Sequence, residues 1–157
     1  MRVYLAGSAR NLEMVREVQG ALRAAGHEVY DWLTGPGAYT WEEVGVLDTD
    51  NCTVEQMREA ARRPALMDGL AADAEAMEDA DVFVLLLPAG ADAHVEFGTA
   101  PVTRYVLALS PFRASQFYAS SDGIFGSVEE LLEELEVSEK DPAWRFYASS
   151  DAEEEPA

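Results

Sequence analysis

The chain alternates short apolar runs with segments in which apolar residues recur every three or four positions. Residues 2–6, apolar from Val3 on, predict a first strand, ended by the turn Gly7–Asn11. Leu12, Val15, Val18, Leu22 and Ala25 then recur at helical spacing, so residues 11–25 predict an amphipathic helix. Gly26 stops it as a C-cap, and residues 27–32 predict a second strand. Residues 33–52 carry Gly35, Pro36, Gly37, Tyr39 and Trp41 and read as a long loop, a kind of segment that is usually functional when ordered. Thr53 caps a helix expected over 54–63, Pro64 breaks it, and a second helix runs to Asp79.

Asp81–Leu87 holds the densest apolar run, six residues from Val82, and reads as a strand buried on both faces. It stops at Pro88 and a small-residue loop, and an amphipathic segment follows with Asp92, His94 and Glu96 expected in its first turn. Strands are expected at 105–109 and 123–126. Ser127 and Glu130 have the spacing of a capping box, which opens a helix through Leu131, Leu132 and Leu135. Residues 138–157 are acidic, hold Pro142 and Pro156, and read as a partly disordered tail, leaving one domain over 1–137. Strands alternating with helices imply an α/β fold with a five-stranded parallel sheet and helices on both faces. The expected order is the flavodoxin-like 2-1-3-4-5.

Charge narrows the partners. The chain has 157 residues, 30 acidic against 11 basic, for a net charge of -19. Such a field repels nucleic-acid backbones and anionic membranes, so neither a DNA or RNA polymer nor a membrane is expected as partner. A small anion remains possible where arginines and backbone amides outweigh the field. Cys52 is the only cysteine, so no thiolate metal site or intrachain disulfide is expected. No signal-type or membrane-length apolar stretch is present, and the cytoplasm is the expected compartment. One repeat stands out: residues 117–122, Phe-Tyr-Ala-Ser-Ser-Asp, recur as 146–151. It reads as a local duplication or as a tail that docks where the first copy docks.

Candidate chemistry gathers where ligands meet open α/β sheets, outside the carboxyl ends of the strands. Glu96 is either a solvated helix glutamate or a nucleophile or base; Gly98 beside it permits close approach. Asp73 reads on spacing alone as a helix-surface acid. Gly7, Ser8, Arg10 and Asn11 form a turn into a helix N-terminus, suited to an anion or sugar hydroxyl, or simply a turn capped by Asn11. His94 is a candidate base or a helix-start histidine, and with no second His or Cys nearby a metal site is improbable.

These residues resemble a family. Residues 3–11, 26–31, Asp73 with Ala80 and Asp81, Leu87–Pro88, 93–100 and the closing helix over 127–135 look like nucleoside 2-deoxyribosyltransferases, a resemblance covering roughly residues 2–136. It implies that Glu96 attacks C1′ of a 2-deoxyribosyl group, displaces the nucleobase and passes the sugar to another base through a glycosyl-enzyme ester. It further implies that Asp73 helps protonate the leaving base and that Tyr4 orients Glu96 or the sugar. Gly7, Ser8, Arg10 and Asn11 would hold the 5′ end, with Asp92, His94 and Tyr118 lining the substrate and Trp41, with Tyr39, stacking on the base. The small-molecule partner would be a deoxynucleoside or deoxynucleotide, with no metal or organic cofactor, in a homodimer or higher homo-oligomer. The turn Gly7–Arg10 resembles relatives that hydrolyse deoxynucleoside 5′-monophosphates, whereas Gly90 replaces their serine and Asp92 adds a negative charge. Transferase, nucleotide hydrolase, a glycosidase for another nucleotide such as a nicotinamide nucleotide, and a non-catalytic nucleotide-binding module all stay open.

Overall fold

Arg2–Ala6 forms β1, and four of its five residues are buried. In this computed structural model residues 1–141 are described; the second copy of the repeat and the expected tail from residue 142 onward lie outside the described residues. A 3-10 turn, Ala9–Asn11, leads into α1, Leu12–Ala24. Val15, Val18, Gln19 and Leu22 make its buried stripe at helical spacing. Gly26, at φ 90°, takes the left-handed position that ends the helix. The remaining elements are β2 (Glu28–Val29), α2 (Val54–Ala60), α3 (Pro64–Asp79), β3 (Val82–Leu87), α4 (Ala91–Thr99), β4 (Thr103–Ala108), β5 (Gly123–Phe125) and α5 (Val128–Lys140).

All sheet pairings are parallel, in the order β2-β1-β3-β4-β5. All six residues of the central strand β3 are buried, as the uninterrupted apolar run requires. Right-handed crossovers put α1, which links β1 to β2, and α4, which links β3 to β4, on opposite faces. α5 touches α1 and shares its face. The strand order reverses between β1 and β3, the position where such sheets bind ligands.

Several boundaries differ from the pattern. β2 keeps only two of its six expected residues, pairing Arg2 with Glu28 and Val3 with Val29. Asp31 ends the extension: its carboxylate accepts the N–H groups of Leu33 (3.0 Å) and Thr34 (3.2 Å), a local turn that outcompetes the sheet. Ser127 accepts the Glu130 N–H at 3.1 Å, but Glu130 reaches back to the N–H of Gly126 (2.7 Å), one residue before the capping-box position. α5 also runs three residues past the expected domain end, to Lys140. Ser138, buried there, shares hydrogen bonds with Tyr105 and Glu134.

The described chain forms two compact units, Met1–Val29 with the described part of Met77–Ala157, and Tyr30–Ala76. The first holds the sheet. The second has its own small core of Val44, Val46, Ala60 and Leu66, against which Tyr39 and Trp41 pack. Its α2 opens with a complete capping box between Thr53 and Gln56. Among the described residues no helix is long and apolar enough to cross a membrane.

Candidate active site

α4 carries Glu96. The helix starts at Ala91, so Glu96 is its sixth residue and lies in the second turn, not the first as the sequence suggested; of the acids only Asp92 is in the first turn. The helix N-terminus therefore exerts little hold on Glu96, because that influence fades within one turn. Tyr4 supplies the hold instead. Its hydroxyl donates to Oε1 of Glu96 at 3.2 Å.

Tyr4 is itself immobilised. It is 1% exposed, and its ring stacks on Phe83, its register partner on β3, at 5.3 Å between centroids and 13° between planes. Phe97, the neighbour of Glu96 on α4, meets Phe83 edge-on at 6.2 Å. Arg104 lies over the Phe97 ring at 5.2 Å and donates to the carbonyls of Phe97 and Ser120. A rigid aromatic layer thus aims one hydroxyl at one carboxylate. Sequence reading missed Phe83 and Phe97; an aromatic beside Glu96 was a signal, but Phe83 needs the β1–β3 register.

The turn after β1 is partly spent on structure. Ser8 Oγ accepts the Arg10 N–H at 3.2 Å, capping the 3-10 turn. Asn11 makes no side-chain cap to α1, contrary to the simple-turn expectation. Its Nδ2 donates to the Pro88 carbonyl at 3.3 Å and ties the loop after β1 to the loop after β3. Gly7 sits where a Cβ would come within 2.9 Å of Val15 Cγ2, so helix packing explains this glycine. A Cβ at Gly98 would meet nothing within 4 Å, so no close approach within the described chain explains that one. Arg10 and Asp92 are exposed.

His94 is held at both nitrogens. Nδ1 lies 2.7 Å from the Gly90 carbonyl oxygen and Nε2 lies 2.9 Å from the Tyr118 hydroxyl. Tyr118 is buried, and burial pushes its phenol up from the ordinary value. In the repeat's first copy, Asp122 accepts the Arg104 N–H (2.8 Å) and Ser120 and Ser121 bond the carbonyls of Phe117 and Tyr118, both at 2.7 Å. Every polar side chain of this copy thus has local work.

Asp73 belongs to the second unit. It is half-buried on α3, and burial raises its carboxyl above the usual aspartate range while a hydrogen bond with Tyr30 acts in the opposite sense. Tyr30 was not singled out in the sequence. The loop seats on the same stripe of α3: a Cβ on Gly37 would fall 2.5 Å from that of Ala72, and one on Gly69 would fall 2.7 Å from the Tyr39 ring. Trp41 meets Tyr39 edge-on at 5.9 Å and packs on the unit's core. Among the described residues no cluster of three or more His, Cys, Asp or Glu is placed to hold a metal ion.

No protein-family model matches the chain, and no curated protein matches it in sequence. Among solved structures it is similar to a 2-deoxyribosyltransferase from the psychrotolerant bacterium Bacillus psychrosaccharolyticus. Identity is 15%, the match covers 84% of this chain and 90% of that one, and the TM-score is 0.53. A CMP N-glycosidase from Clostridium botulinum is similar at 18% identity over 87% of this chain and 99% of that one, with a TM-score of 0.45. The first likeness establishes a shared fold; the second is too loose to carry an argument.

Proposed function

We propose that this chain cleaves the N-glycosidic bond of 2′-deoxynucleosides and transfers the deoxyribosyl group to another nucleobase, with Glu96 as nucleophile. The observation that carries the reading is the Tyr4–Glu96 hydrogen bond, in which a buried tyrosine fixes one carboxylate oxygen. A nucleophilic carboxylate needs a fixed direction of attack and must stay ionised, and a hydroxyl donor serves both needs. One Glu96 oxygen bonds to C1′ as the C1′–N bond breaks and its electron pair leaves with the base. The resulting ester is then opened by the nitrogen of an acceptor base, with net retention at C1′.

Asp73 has the chemistry of a general acid. A carboxyl that burial keeps protonated to higher pH donates more readily near neutrality than an ordinary aspartate. The turn at Gly7, Ser8 and Arg10 is assigned to the 5′ end of the substrate. A second reading, hydrolysis of deoxynucleoside 5′-monophosphates, draws on that same turn, where a hydroxyl and a guanidinium follow a glycine at the end of β1.

The test is base release followed by chromatography, over deoxynucleosides and their 5′-monophosphates, with and without an acceptor base. Release that requires an acceptor means transfer. Release from monophosphates without one means hydrolysis. Glu96→Ala should abolish either, with the fold intact by circular dichroism. A folded Glu96→Ala protein that still turns over sinks the mechanism. Nucleotide binding by calorimetry without any release by the wild type would instead mark a binding module.

A further inference from the structure

We propose that His94 and Tyr118 are a positioning pair that fastens the start of α4 to the β4–β5 connection. Neither side chain is needed at the reacting atoms. The catalytic part of this inference rests on the assignment of Glu96 above.

The hydrogen-bonding inventory fixes the proton on Nδ1. The Gly90 carbonyl can only accept, so the ring nitrogen 2.7 Å from it, Nδ1, carries a hydrogen. A neutral imidazole then offers the lone pair of Nε2, and the Tyr118 hydroxyl 2.9 Å away donates to it. Burial, which keeps the phenol protonated, preserves that donor. His94 therefore has no spare lone pair in this arrangement and is a brace, not a free base.

The brace has a mechanical purpose. Gly90, the N-cap of α4, supplies no side-chain cap, and the first helical bond, His94 N–H to Gly90 O, is long at 3.4 Å. The imidazole bond to the same oxygen makes good that weakness. On the other side, Tyr118 belongs to the 3-10 turn Gln116–Ser120 within a connection whose residues 109–114 are all exposed. Its ring, edge-on to Phe112 at 5.7 Å, and its hydroxyl are the buried anchor of that stretch. Segments with few buried contacts open locally, and a single anchor then controls them. Glu96 follows His94 by two residues on another face of α4, so the pair acts on Glu96 only through the helix.

Four proteins test this: wild type, Tyr118→Phe, His94→Ala and the double variant, with Glu96→Ala as the inactive control. Tyr118→Phe keeps the ring packing and should fold normally. Imidazole nitrogen NMR of the wild type should show the Nδ1–H tautomer. Amide exchange at His94 and at Tyr118 should speed up in both single variants, each change reaching across to the other segment. On the reading above, kcat should fall about three- to tenfold with KM little changed, the size expected for one lost hydrogen bond. The double variant should be no worse than the worse single. Additive losses, exchange that quickens only in the altered segment, or an Nε2–H tautomer would overturn the pair. If the wild type releases no base, the assigned function fails, while tautomer and exchange still decide the brace.

Discussion

Removing one oxygen atom tests how Glu96 is aimed. Tyr4→Phe deletes the hydroxyl that donates to Oε1 and leaves the ring, which stays stacked on Phe83. Tyr4 is 1% exposed, so water does not freely replace the lost donor. Hydrogen bonds to charged groups contribute about 1.5–3 kcal/mol. At 3.2 Å this bond is beyond the usual O–H···O range, so the low end applies, about 1.5 kcal/mol. If that interaction orients the nucleophile in the transition state, kcat falls about tenfold, since each 1.4 kcal/mol is a factor of ten. Stability should change less, by about 1 kcal/mol, because packing is conserved. The assay is steady-state base release beside thermal unfolding of the same samples. A Tyr4→Phe protein with wild-type kcat, while Glu96→Ala is dead, would refute the claim that Tyr4 aims the carboxylate.

Asp73 carries a pH prediction. Its folded-state pKa is raised by burial, so above the ordinary value of 3.8 the unfolded chain loses this proton first and folding is penalised as pH rises. Asp73→Asn should therefore be more stable than wild type at neutral pH, with the gain shrinking as pH falls towards 3.8; a gain independent of pH in thermal melts would contradict this. The same variant should lose base-release activity if Asp73 protonates the leaving base. Gly37→Ala should destabilise by about 1–3 kcal/mol, the usual cost of overpacking, because the new Cβ falls 2.5 Å from Ala72 Cβ. A neutral result in denaturant melts would mean that the loop yields at no cost.

Much of the sheet was legible in the chain because periodicity reports burial directly. The run 82–87 is apolar at each position and is buried at each position; the stripe Val15, Val18, Leu22 turns inward as its spacing requires. Pairing with the neighbouring strand decided the rest. The apolar and aromatic residues of 27–32 suit a strand, yet β1 pairs with only two of them before the Asp31 turn intervenes. In the sequence Gly37 reads only as a loop residue, and Gly69 was not singled out. Their use, letting a loop backbone lie on α3, depends on a partner thirty or more positions away and leaves no periodic mark.

What the sequence determined alone was the class of fold and the presence of Glu96 on the helix after the central strand, since these follow from local propensity and burial; the strand order was expected from the topology common to five-stranded doubly wound sheets. Which turn of that helix holds Glu96, and what holds it, was decided by tertiary structure. Tyr4 lies 92 residues from Glu96, and Tyr118 lies 24 residues from His94. Hydrogen bonds between such residues depend on strand register and helix phase. An error of one residue in either turns a side chain to another face.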